Sequence, residues 1–339
     1  MSIPLPIPGP LSLGELLDRA FRLYRARFAT MLLTAAVLVV PAGIVTGLLM
    51  GQSTLSLTRA SEQLAFDAAS GNELAMLGPT FSYFGLALLT SLLAGLAYGI
   101  AALALTAQSD AALHGEELAL GAGLRRGLSR FWSWLGMSIL KGLALFGIGV
   151  AVSIPMVILV VALAAIGSTG QGAGDGAGLV LAILCGYLVM IVLFLAPWLF
   201  LSARWAASVP ALVIERLGAT RSLRRSWTLT KRRAWRCFGF IFLLGLLSFL
   251  VASLPLVIVQ QVALALLPPS AMPAILTASY ALSAIFGALW YPLSLAAYVL
   301  LYYDLRVRAE DYDLALRVDA LAETAAEPAA PVDVAEPLL

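Results

Sequence analysis

Charge is scarce in this sequence: Asp, Glu, Lys and Arg make up 12% of its 339 residues, where a soluble domain averages about a quarter. Histidine is almost absent, with His114 alone, and the two cysteines, Cys185 and Cys237, fall within or beside apolar runs. That usage excludes a disulfide framework and a cysteine-based metal site. No Gly-rich phosphate loop with its lysine, no His-Glu metal pair and no nucleophile elbow occurs. His114 stands near Glu116 and Glu117, but without further ligands this reads as a polar turn. No catalytic residue, metal ligand or cofactor is expected.

What fills the space is hydrocarbon. The chain is 61% hydrophobic with a mean hydropathy of +0.95. Six apolar segments stand out: Phe28–Met50, Phe81–Ala107, Trp134–Ile166, Gly178–Ala203, Phe238–Leu267 and Ala274–Tyr302. Each reaches the roughly 20 residues that a helix needs to cross about 30 Å of hydrocarbon. In lipid an unpaired backbone group costs several kcal/mol, so these segments must be helices. The expected fold class is therefore all-α, a polytopic membrane protein with six transmembrane helices. The first 27 residues carry several charges and the first apolar run is long, so no cleaved secretory signal is expected.

The charges orient the spans. Of 21 basic residues, 19 fall on one side of the six segments, only Arg59 falls on the other, and Lys141 lies inside a span. Excess Lys and Arg mark the cytoplasmic face, which places both termini in the cytoplasm. The opposite connection, Gly51–Thr80, is Ser-rich and acidic, with a short surface helix suggested by Leu57, Leu64 and Phe66.

A repeat organises the chain. Ala112–Leu113, Glu116 and Leu124–Arg125–Arg126 recur as Ala211–Leu212, Glu215 and Leu223–Arg224–Arg225, a period of 99 residues. Ser153–Ile154–Pro155–Met156–Val157–Ile158 recurs as Ser253–Leu254–Pro255–Leu256–Val257–Ile258. A weaker third copy opens at Leu17–Asp18–Arg19, with Pro41 in the place of Pro155 and Pro255. The unit is a basic helix followed by a two-helix hairpin; chance similarity among apolar segments is the alternative. This divides the chain into a lead at 1–11, a six-span domain at 12–317 with units near 12–107, 112–205 and 211–303, and an Ala-, Pro- and acid-rich tail at 318–339. The tail reads as disordered.

The connecting helices carry the candidate contact residues. Ser12 and Glu15 fit a capping box, followed by apolar residues at helical spacing with Arg19 and Arg22 on other faces. Arg125 and Arg126 occupy the second connection. The third interleaves Arg224, Arg225, Lys231, Arg232 and Arg233 with Trp227 and Trp235. Helices of this kind lie in the interface with their cations near anionic headgroups. Membrane lipids are thus the expected partners, a membrane protein is a further one, and nucleic acid is not expected, since topology already accounts for the cations. Trp132, Trp134, Trp198, Trp205 and Trp235 read as interfacial anchors.

Within the spans, Lys141 is the one strongly ionisable residue. It is either a polar site in the bundle or a side chain whose ammonium snorkels to the interface. Asp110 and Asp304 sit at span ends and read as partners for nearby arginines. Pro41, Pro155 and Pro255 are candidate kinks.

Leu13–Phe28, the Pro210–Trp235 run with its Arg-Arg-Ser-Trp core, and Leu300–Leu316 with Tyr302–Tyr303–Asp304–Leu305–Arg306–Val307–Arg308 together resemble the bacterial glycerophosphoryl diester phosphodiesterase membrane domain family, over residues 10–317. The resemblance implies a six-span inner-membrane module. In some members such a region precedes a soluble phosphodiesterase barrel, whose acidic metal ligands and histidine pair have no counterpart here, so no activity carries over. The leading expectation is a non-catalytic membrane scaffold or interaction module. The alternative is a transporter or lipid-handling protein, and an intramembrane enzyme has least support.

Overall fold

A computed structural model describes residues 11–66, 77–168 and 176–310. Among them the secondary structure is entirely helical: α1 (Leu13–Ala26), α2 (Phe28–Phe66), α3 (Leu77–Leu113), α4 (Leu120–Leu128), α5 (Phe131–Ser168), α6 (Gly176–Arg204), α7 (Ser208–Ile214), α8 (Ala219–Thr230), α9 (Ala234–Ser248), α10 (Leu254–Leu266) and α11 (Met272–Glu310). A π-turn at Phe249–Ser253 joins α9 to α10, so the two form one span. Six segments are long and apolar enough to cross a bilayer, and the chain is an all-α polytopic membrane protein.

The spans are unequal in a way their composition hides. In α11, 61% of the most apolar window is buried inside the protein, against none of that of α6 and 6% of that of α5. From Leu293 to Leu305 almost every residue of α11 is buried, whichever way it points, the signature of a helix surrounded by others. Helix α11 packs on α2, α3 and α1, whereas α5 and α6 lie outside this core. Large exposed side chains such as Phe81, Phe84 and Phe146 form the apolar outer surface, as a lipid-facing wall requires.

Contact between α2 and α11 depends on having no side chain at one stripe. Gly43, Gly47 and Gly51, four residues apart, face Ala284, Thr277 and Pro273; a Cβ on Gly47 would sit 2.9 Å from both Thr277 O and Tyr280 Cβ. Small residues at this spacing let membrane helices approach closely, where packing replaces the hydrophobic drive absent in lipid. Thr277 Oγ1 then donates to Gly47 O at 3.2 Å across the contact.

The structure corrects the expected connection at Gly51–Thr80. Helix α2 does not stop at Met50 but runs to Phe66. Hydroxyls of Ser53, Thr54, Thr58 and Ser61 bond back to carbonyls three or four residues earlier, which lets polar residues extend the helix. The kink positions also differ among themselves. Pro41 and Pro155 lie inside continuous helices. Pro255 follows the π-turn, whose wider loop absorbs the hydrogen bond that proline cannot donate. Trp134 is not an interfacial anchor: it is 9% exposed and packs against Gly99. Trp132 and Trp235 are the open indoles, at 79% and 85% exposure. The expected disordered tail lies outside the described residues.

At α1 the capping box forms in full. Ser12 N–H donates to Glu15 Oε2 at 2.6 Å and Glu15 N–H to Ser12 Oγ at 3.2 Å. These Ser12 bonds, the backbone one foremost, hold the Glu15 carboxyl below its usual pKa. With the folded value depressed, the contribution is complete above the unfolded pKa and vanishes as pH falls through the folded one. Hydrogen exchange should therefore show the first turn of α1 losing protection on acidification through the carboxylate range, with Glu15→Gln giving a flat profile. Gly47→Val should cost about 1–3 kcal/mol by forcing the helices apart. Thermal unfolding in detergent would register it, against Gly14→Ala, where a Cβ meets nothing within 4 Å.

Candidate functional site at the basic end of the bundle

Three carboxylates lie at one end of the core, each where an apolar helix meets the basic connections. Asp304, on α11, has a side chain with no exposed surface. A carboxylate so enclosed is tolerable only when its oxygens are all occupied. Leu11 N–H donates to Oδ1 at 2.9 Å, Arg236 Nε to Oδ2 at 3.0 Å, and Arg308 Nε to both oxygens at 2.9 and 3.1 Å. The Leu11 carbonyl accepts in turn from Arg236 and, at 2.8 Å, from Arg308. Leu11 is itself buried, so residue 11, placed in the lead by composition, is docked in the fold.

Neighbouring tyrosines serve the other two. Tyr303 OH donates to Asp110 Oδ1 at 2.6 Å, and Arg126 Nη2 approaches Oδ2 at 3.5 Å. Tyr302 OH donates to Glu215 Oε1 at 2.5 Å, while Arg225 Nε reaches both Glu215 oxygens at 2.9 and 3.0 Å. Arg225 also binds Glu310, with Nη2 at 2.9 Å from Oε2. Hydrogen bonding to Glu310, then to Glu215, raises the Arg225 pKa further, outweighing its partial desolvation. One helix, α11, thus presents Tyr302, Tyr303 and Asp304 in succession and ties α3, α7, α8, α9 and the segment before α1 to a single point.

Arg204 is bound differently. It is 9% exposed, and its guanidinium lies 4.4 Å from the Trp227 ring centroid and 5.5 Å from that of Phe200. Its carbonyl accepts from Ser226 Oγ at 2.7 Å and Thr230 Oγ1 at 3.3 Å. The ring faces offset part of the lost hydration, while Nε and Nη1 of Arg204 have no hydrogen-bond partner among the described residues.

This geometry divides the residues nominated from sequence. Arg126 holds the buried Asp110 and Arg225 the half-buried Glu215, Arg233 donates to the Arg308 carbonyl, and Trp227 stacks on Arg204. Arg22 pairs locally with Asp18 at 2.5 Å, and Arg19 is half-buried on α1. Arg125, Arg224, Lys231, Arg232 and Trp235 stay exposed on the surface. Sequence reasoning missed Glu215, Arg204, Arg236 and the Leu11 backbone as parts of this end. The available signal was the position of Asp110, Glu215 and Asp304, each standing directly beside an apolar run.

Lys141 Nζ donates to Ser208 Oγ at 2.6 Å and lies 6.0 Å from the Trp205 ring. It borders a cavity of about 460 Å³ whose polar groups include Tyr98, Ser202, Tyr291 and Tyr298. His114 Nδ1 lies 2.8 Å from the Asp110 carbonyl. Among the described residues no group of three His, Cys, Asp or Glu side chains is arranged to hold a metal.

Residues 177–320 match a family model described as the membrane domain of glycerophosphoryl diester phosphodiesterase. This stretch runs from α6 past the end of α11 and includes Glu215, Arg225, Arg236 and Asp304. Comparison with curated proteins and with solved structures gives no match. Removing one partner of an enclosed ion pair costs about 3–5 kcal/mol. Asp304→Asn should therefore lower stability by that order in chemical or thermal unfolding. Asp18→Asn, at a carboxylate 56% exposed, should change it by less than about 1 kcal/mol.

Proposed function

Since residues 177–320 contain the membrane domain of the glycerophosphoryl diester phosphodiesterase family, we propose that the chain is a non-catalytic module of the bacterial inner membrane. Its basic end faces the cytoplasm and engages anionic headgroups, and its outer helices meet a membrane protein partner. The observation that carries this is the sorting of charge. Asp110 and Asp304 are buried and Glu215 is half-buried, and each is bonded within the fold. Arg125, Arg221, Arg224, Lys231 and Arg232 project outward, and each cation near an anionic surface adds about 1 kcal/mol of attraction.

The repeat supports the same reading. Matched positions make matched pairs: Arg126 Nη1 lies 3.9 Å from Glu116 Oε2, and Arg225 Nη2 lies 2.8 Å from Glu215 Oε1. Each of the short basic helices α1, α4 and α8 precedes two long apolar segments. Three basic helices at the ends of three hairpins make a platform rather than a single catalytic cleft. The partner surface in this reading is α5–α6, whose apolar windows are almost wholly unburied by the chain itself.

A second reading, handling of a lipid or amphiphilic solute, is favoured by the cavity beside Lys141. Its walls are largely apolar, and an ammonium and several tyrosines supply the polar groups, the lining expected of an amphiphile site.

Native mass spectrometry of the protein in nanodiscs of mixed zwitterionic and phosphatidylglycerol composition tests the first reading. Phosphatidylglycerol should be retained preferentially, and neutralising Arg224, Lys231 and Arg232 together should abolish the preference; equal retention of both lipids would refute headgroup engagement. Cys185 is exposed on α6 while Cys237 is buried, so a photo-crosslinker on the natural Cys185 reports the partner surface. A protein adduct of fixed mass in native membranes is expected there, and lipid adducts alone would remove the partner.

A further inference from the structure

At the basic end, α4 with the turn after it, and α7 with the turn that follows, border a half-open cavity of about 870 Å³. Arg125, Arg126, Ser129 and Arg130 reach it from one side and Arg216 from the other, and no carboxylate lines it. Residues four apart on a helix share a face, so Gly121 and Arg125 form one row and Ala122 and Arg126 the next, with Ser129 and Arg130 in the turn just past the helix end. The amino-terminal turn of α4 borders the cavity through Gly121 and Ala122, and its N-cap, Ala119, supplies no side-chain hydrogen bond.

The cations here are not absorbed by the fold. Arg126 is partly compensated, by Asp110 at 3.5 Å and Glu116 at 3.9 Å. For Arg125, Arg130 and Arg216, the side chains enter no hydrogen bond or ion pair among the described residues. Four guanidinium groups around one space repel each other, and an anion between them reverses the sign of that interaction. The backbone adds a second mark. Arg216 has φ 54, the only left-handed residue other than glycine among those described. A side chain is disfavoured in that conformation, and such strain tends to gather at ligand-binding positions. Glycine would relax the turn, yet an arginine stands there and reaches the cavity.

Charge and position narrow the ligand. Three uncompensated guanidiniums exceed the single charge of a phosphodiester, whereas a phosphomonoester carries close to two. Planar guanidinium forks match phosphate oxygens in pairs. The apolar span of α5 starts at Phe131, directly after Arg130, and Trp132 is exposed beside it, which sets the cavity at headgroup level. The matching face of α8 places Arg224 and Thr228, counterparts of Arg125 and Ser129, in a smaller cavity of about 590 Å³ with Lys231 and two tryptophans. With two cations instead of four, it lacks the same charge density.

We propose that the α4 cavity is a discrete site for a phosphate group bearing at least two negative charges, presented by a phosphomonoester headgroup or by a soluble phosphate compound. The proposal deepens the reading of the basic end as an anion-binding face and rests on it.

Native mass spectrometry of the full chain in detergent, titrated with phosphatidic acid or phosphatidylglycerol, tests it. One phosphatidic acid should bind per chain about tenfold more tightly than phosphatidylglycerol. Arg125→Gln with Arg130→Gln should weaken it by about tenfold. Arg25→Gln with Arg59→Gln removes the same charge from exposed positions outside the cavity and should leave it within about twofold. Arg216→Gly gives opposed readouts: the thermal midpoint holds or rises as the turn relaxes, while phosphatidic acid binding falls. Inorganic pyrophosphate identifies the source. Binding of pyrophosphate alone, with displacement of phosphatidic acid, assigns a soluble phosphate; retention of phosphatidic acid against it assigns the headgroup. Equal weakening by both double variants overturns the discrete site while leaving a general headgroup surface intact. Equal binding of phosphatidic acid and phosphatidylglycerol overturns the doubly charged site, and failure of both to bind overturns the anion-binding face as well.

Discussion

Enclosing carboxylates at the end of an apolar bundle is the constraint on which the rest of the architecture depends. Such a group is costly unless every oxygen is met, and the groups that meet Asp304 come from three separate parts of the chain. Leu11 precedes the first helix, Arg236 opens the fifth span and Arg308 ends the sixth. Satisfying this one side chain therefore joins the beginning of the fold to its end. Asp110 and Glu215 extend the junction through Tyr303 and Tyr302 to α3 and α7. Hydrophobic burial cannot specify these relations, because lipid is as apolar as leucine.

That constraint also sorts the cations. The positive-inside pattern places many arginines at one face without distinguishing among them. Enclosed acids then recruit Arg225, Arg236 and Arg308 into the structure, and the Trp227 ring takes Arg204. What remains outside is a basic surface and a separate group of arginines around one cavity. The membrane domain matched over 177–320 holds most of the structural pairs, while α4, which lines the arginine cavity, lies before it.

Much of the helical plan was legible. Six spans, the short basic helices between them and the capping box at Ser12 and Glu15 all follow from hydropathy and local chemistry. Errors arose where a local signal was overridden by a contact. The stretch after Met50 suggested a polar connection with a separate short helix through Leu57, Leu64 and Phe66, whereas α2 continues unbroken to Phe66 with its hydroxyls bonded back to their own helix. Trp134 carried the composition of an anchor, but Gly99 opens a slot that only the folded chain brings against it. The arginine cavity was half legible: Arg125 and Arg126 were nominated, whereas Arg216 comes from a turn some ninety residues away and was not.

The sequence by itself determined that this is a six-span helical membrane protein with its cations at one end, because bilayer thickness and backbone hydrogen bonding leave no other use for such segments. Only the tertiary structure decided that the last span is the hub, that Gly43, Gly47 and Gly51 let it approach α2, and which arginines are bound and which are open. Those outcomes depend on which distant side chains share a small volume, and hydropathy, being a property of each segment alone, carries no record of its neighbours.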